Sequence, residues 1–159
     1  KALSLYEYAV YKICESKDKS RLKQLKQEMI LAEFDSIETV LLQVDLRWDA
    51  ATAAWNHYAK TMEKLGEAGR NDQYSLNEAA WVFYEEVNQK GLLKKAEKWI
   101  TQSVAIEKSS ANLDTQAMLL HKLGKKDAAI AAAEESIAMG KASGEDVSET
   151  EKALAEWLK

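Results

Sequence analysis

The chain has 159 residues, of which 47% are hydrophobic and 30% charged, and its net charge is −4. That length buries a proper core without staples, and the negative balance argues against a general nucleic-acid binder, whose affinity comes from neutralising phosphates. A single cysteine, Cys14, excludes an internal disulfide, a Cys-x-x-Cys redox pair and a thiolate zinc site.

The sequence contains no proline, which favours helix because proline breaks helix interiors. Apolar periodicity is helical nearly throughout and predicts helices over about 3–15, 19–33, 36–45, 47–65, 76–89, 92–108, 111–122, 126–141 and 147–158. In the first, Leu3, Tyr6, Val10 and Ile13 recur at three- and four-residue steps, and Cys14 in "YAVYKIC" reads as a buried, inert thiol. The second has Leu22, Leu25 and Met29 on one side and a solvated basic face of Lys17, Lys19, Arg21, Lys23 and Lys26. Capping boxes are expected at Ser4/Glu7, Asp35/Glu38, Ser75/Glu78 and Ser148/Glu151. Gly66, Gly91, Gly124 and Gly144 are expected at helix ends, and "GEAGRNDQYS" (66–75) reads as the longest loop. No apolar run approaches the roughly 18 residues of a membrane span. No signal peptide is legible, and because the chain starts at Lys1 this says nothing about compartment.

Residues 77–108 align with 110–141 at a constant offset of 33: Gly91 with Gly124, Ala96 with Ala129, Ser103 with Ser136, Val104 with Ile137, Ile106 with Met139, and in the preceding helices Tyr84 with Ala117 and Val87 with Leu120. Two helices and a glycine turn at this period mark a helical repeat. The segments resemble tetratricopeptide (TPR) repeats, which place small residues where their two helices cross; here these are Ala117, Ala129 and Ser136, then Ala96 and Ser103. Tyr84 is large where the pattern has a small residue, and no proline closes either repeat. "DAATAAW" (49–55), set on "DAAIAAA" (127–133), suggests a degenerate earlier unit with Ala51 matching Ala129, Trp55 matching Ala133 and Tyr58 matching Ser136. The resemblance implies an all-α, right-handed superhelix of about nine helices in one domain over 1–159. Its parts would be N-terminal helices (1–35), a degenerate repeat (36–65), two repeats (76–108 and 110–141) and a capping helix (147–159) that uses Leu154, Trp157 and Leu158 to cover the last repeat.

From about Ser75 onward, "LNEAAWVFYEEV" and "LLKKAEKWITQSVAIEKSSANLDTQAMLLHKLGKKDAAIAAAEESI" also resemble the helical region that follows the thioredoxin domain in some bacterial thioredoxin-like proteins. That resemblance implies an accessory domain beside an envelope or periplasmic redox module, with the adjacent thioredoxin-like domain as partner. The redox residues themselves are not in this chain.

Catalytic constellations are not legible. His57 and His121 belong to no His-Glu-x-x-His motif, and neither a phosphate loop nor a Gly-x-Ser-x-Gly elbow occurs. Hence no catalytic residue, cofactor or metal is expected. Of the five tryptophans, Trp48, Trp55, Trp99 and Trp157 read as core. Trp81 is expected on the concave side of the repeats with Glu78, Glu85, Asp114, Met118 and His121. Such an inner face in TPR-like proteins takes a peptide or partner domain. Trp81 and Asp114 stand where a carboxylate clamp would need polar or basic residues, so a basic or apolar segment suits this face better. The expectation is a non-enzymatic protein-interaction module, cytoplasmic unless the thioredoxin-like resemblance holds.

If Ala129 makes room at a helix crossing, Ala129→Leu overpacks it and lowers stability by about 1–3 kcal/mol in urea unfolding. A neutral substitution would contradict the register.

Overall fold

A computed structural model describes residues 6–32 and 36–159. All regular elements among them are α-helices. Contacts divide the chain into two compact units, Lys1–Arg70 and Asn71–Lys159.

The first unit contains α1 (Glu7–Ser16), α2 (Lys19–Leu31), α3 (Ile37–Ala51) and α4 (Trp55–Glu67). Its periodic apolar residues do what their spacing dictates. Val10 and Ile13 of α1, Leu22, Leu25 and Met29 of α2, and Val40 and Val44 of α3 form one buried cluster, with Cys14 and Trp48 packed partly against it. Burial pushes the Cys14 thiol above its ordinary pKa, and the Arg47 charge opposes this. Asp18 caps α2 by accepting from the Arg21 backbone N–H at 2.9 Å.

The break between α3 and α4 corrects the sequence reading. The expected break near Leu46 does not occur; α3 continues to Ala51, and the turn is at 52–54. The repeated "DAATAA" is therefore a helix end, not a helix interior. Ala51 closes α3, whereas Ala129 is fully buried inside α8, so the two are not equivalent. The cause lies in the termination motif. Ala53 takes a left-handed φ of 55°. Its N–H reaches the Ala50 carbonyl, and the Ala54 N–H reaches the Asp49 carbonyl at 2.8 Å. This is a Schellman end, in which the left-handed position usually holds glycine. The same paired bonds close α1 at Lys17 (φ 52°) and α8 at Gly144, and Gly69 and Gly124 occupy the same place after α4 and α7. Gly124 and Gly144 thus sit where expected. Gly66 lies inside α4, and Gly91 lies in the first turn of α6.

The second unit contains α5 (Gln73–Glu86), α6 (Lys90–Ile106), α7 (Ser110–Lys122), α8 (Lys126–Ser143) and α9 (Ser148–Trp157). Two hairpins, α5–α6 and α7–α8, each turn through three residues. In both, a fully buried serine on the second helix donates to the carbonyl of the first residue of the first helix: Ser103 Oγ to Gln73 at 2.7 Å, and Ser136 Oγ to Ser110 at 2.9 Å. These equivalent bonds give the register. The second helices are offset by 33 residues as expected, but Gln73 and Ser110 are 37 apart. In the first helices, then, the counterpart of Ala117 is Ala80, not Tyr84, and that of Leu120 is Phe83, not Val87. Leu76/Leu113, Ala80/Ala117 and Phe83/Leu120 are all buried. The bonded residues are 30 apart in the earlier hairpin and 26 apart in the later one, a difference of about one helical turn, which is why a constant offset puts Tyr84 where a small residue belongs.

Capping also differs from expectation. Asp72, not Ser75, caps α5, accepting from the Ser75 N–H at 2.7 Å and the Ser75 hydroxyl at 2.8 Å. Ser148 is the first residue of α9, with Val147 at the cap and Asp146 accepting from the Ser148 N–H. Ser4 and Asp35 lie outside the described residues. A reciprocal capping box does open α7, between Ser109 and Asn112. At the α7–α8 crossing, Ala117, Leu120, Ala129, Ala132 and Ala133 form the core, with Leu154 and Trp157 of α9 packed over them; Leu158 is exposed.

Two substitutions test these local constraints. Ala53 is exposed and loses no packing as glycine, so Ala53→Gly relieves the left-handed strain and raises stability by up to about 1 kcal/mol. A destabilised variant would contradict the Schellman end. Conversely, a Cβ on Gly140 would collide with Val147 Cγ1 and stand 2.7 Å from Ser110 Oγ. Gly140→Ala should cost about 1–3 kcal/mol in thermal unfolding; an unchanged melting temperature would contradict the close approach.

Candidate functional site

Residues three and four apart share one face of a helix, and three helices of the second unit each aim such a face at one groove. α5 supplies Trp81, Tyr84 and Glu85. α7 supplies Asp114, Met118, His121 and Lys122. α9 supplies Glu149, Lys152, Ala153, Glu156 and Trp157. The groove encloses about 850 Å³. Five of the six residues expected on one face (Trp81, Glu85, Asp114, Met118 and His121) are brought together here. Glu78 is exposed on α5 and does not line the groove.

Two aromatic pairs give the groove its apolar surface. Trp81 and Tyr84 pack at 5.1 Å between ring centroids, tilted by 42°. The His121 and Trp157 rings stack at 4.3 Å and 9°. Trp81, Tyr84 and Trp157 are each half-buried, leaving ring area for a ligand. Lys122 is engaged locally: its ammonium donates to the Tyr84 carbonyl and lies 5.5 Å from the Tyr84 ring centre. Glu85, Asp114, Glu149 and Glu156 face only Lys122 and Lys152, so carboxylates outnumber cations along the walls.

Comparison with protein-family models, curated proteins and solved structures gives no match.

Asp114 joins α7 to α9. Its Oδ1 accepts from the buried Thr150 hydroxyl at 2.7 Å. Burial raises the Asp114 pKa above the usual carboxylate range, and the Thr150 bond partly opposes it. Among the described residues, no group of three or more His, Cys, Asp or Glu is placed to hold a metal ion.

The α9 wall and the Tyr84 and Lys122 positions are absent from the sequence reading, which treats 147–159 only as a cap. A signal was present: Glu149, Lys152 and Glu156 follow one helical stripe beside Trp157. What sequence spacing lacks is the Thr150–Asp114 bond, which docks that stripe against α7.

The Asp114 environment has a pH signature. A carboxyl whose folded-state pKa lies above its unfolded value stabilises the fold fully below the ordinary Asp range, near about pH 4. That contribution is lost as pH rises through the folded value. Asp114→Asn keeps an oxygen for Thr150 and does not titrate. The variant's melting temperature should therefore gain on the native one as pH rises from about 4 to about 7. A difference constant with pH would contradict the desolvated carboxyl.

Proposed function

We propose that this protein is a non-catalytic, TPR-like interaction module, and that the α5–α7–α9 groove takes an extended segment of a partner protein carrying basic and apolar side chains. The observation that carries this reading is the combination of exposed aromatic faces with a surplus of carboxylates in one groove. Arginine and lysine are attracted to aromatic faces, and the surrounding carboxylates favour the same cations through hydrogen-bonded pairs. A peptide carboxylate would meet repulsion from Glu85, Glu149 and Glu156. The small-residue crossing and the matched serine bonds of the two hairpins support the TPR-like reading, and with it the right-handed superhelix in which alternate helices line the inner face.

A random peptide display selected on the intact chain tests this. The selected peptides should be enriched in arginine or lysine next to apolar residues. Trp81→Ala should weaken them by about tenfold or more while leaving helical content and melting temperature nearly unchanged. Selected peptides that bind the variant equally well would overturn the assignment of the groove, and acidic consensus peptides would overturn the charge argument.

A further inference from the structure

A different site lies in the first unit. Asp49 is buried near the end of α3, and an ionised carboxylate in such a place needs a partner. Its Oδ2 is 2.7 Å from His57 Nδ1, across the α3–α4 turn. Desolvation raises the Asp49 pKa, and the His57 bond and charge pull it back. The His57 side chain is 60% exposed. With Nδ1 held by the carboxylate, the ring is fixed in orientation and offers Nε2 outward.

That ring lines a pocket of about 520 Å³ between α2, α3 and the start of α4. Leu22, Trp48 and Ala54 supply its apolar surface, and three lysines stand on the α2 side. Lys26 is neutralised by Asp45, with its ammonium 2.8 and 2.9 Å from the two carboxylate oxygens. Lys19 and Lys23 are exposed and form no ion pair among the described residues. Both acids of the pocket are thus engaged, while two ammonium groups and an oriented imidazole edge remain beside a tryptophan.

We propose that this pocket binds a small-molecule anion, a phosphate monoester or a carboxylate, carried on a planar apolar body: the anion between Lys19, Lys23 and His57, and the body against Trp48. The lysines supply charge, and the imidazole supplies a directed hydrogen bond, as a donor when protonated. Together they account for why a histidine that satisfies a buried acid also faces a cavity lined by two lysines that form no ion pair among the described residues. This site shares no residue with the α5–α7–α9 groove, so either assignment can fail without the other.

The test is a ¹⁵N NMR titration of the whole chain with phenyl phosphate, benzoate and phenol. Saturable shifts are expected at His57, along the start of α2 and at the α3–α4 turn with one or both anions, and none with phenol. The tighter of the two anions identifies the group the pocket prefers. Lys19→Gln combined with Lys23→Gln, on the exposed side of α2, should leave the remaining spectrum in place and weaken binding by about tenfold or more. His57→Gln should weaken it independently. Absence of saturable shifts with either anion, an equal response to phenol, or unchanged affinity in the double lysine variant would overturn the proposal.

Discussion

The second unit depends on one buried amide. Asn112, near the start of α7, is almost wholly excluded from solvent. Its Nδ2 donates to the Glu107 carbonyl at 2.7 Å and to Ser103 Oγ at 3.2 Å, and its Oδ1 accepts from the Ser109 N–H at 2.9 Å. Ser103 Oγ in turn donates to the Gln73 carbonyl. One side chain therefore ties the end of α6 to the start of α7, and through Ser103 to the start of α5. A half-satisfied buried network costs more than an apolar substitute, whereas a filled one holds a single geometry. The register between α5 and α7 follows from it, and so does the alignment of Trp81 and Tyr84 with Met118 and His121.

From that joint outward, size governs the packing. Ser136 and Gly140 on α8 are buried against the start of α7, and Ser110 exchanges hydroxyl–carbonyl bonds with Ser136. Gly140 leaves just enough room for Ser110 and Val147, which brings the chain back over α7 before α9 begins. α9 then returns its own polar anchor, Thr150, to Asp114 and stacks Trp157 on His121. The groove is thus a product of small residues in the core that let large ones converge on its rim. The carboxylates of Glu85, Glu149 and Glu156 on that rim are exposed and cost little while they stay solvated.

Much of this was legible in the sequence because its period is that of a helix. Helix existence followed from apolar spacing, and the 33-residue offset located the two buried serines. What failed did so for definable reasons. A constant offset cannot register an extra helical turn, so Tyr84 was matched to Ala117 while Ala80 does its work. A left-handed alanine at 53 gives no glycine signal, so the Asp49–Ala54 motif read as helix interior when it ends one. The Asp49–His57 pair meets only because the chain turns between them; eight residues along one continuous helix lie about 12 Å apart and cannot touch. Five of the groove's twelve lining residues were legible because they lie on helix-spaced stripes of α5 and α7. The third wall was not, because the Thr150–Asp114 bond that ties α9 to α7 leaves no mark in sequence spacing.

The most direct test of the account is amide hydrogen exchange of the intact chain, free and saturated with a peptide selected on it from a random display. The groove predicts slowed exchange concentrated in α5, α7 and α9, with α6 and the outer face of α8 unchanged. Protection confined to the first unit, or to α6 and α8, would contradict the claim that alternate helices of the second unit form the binding face.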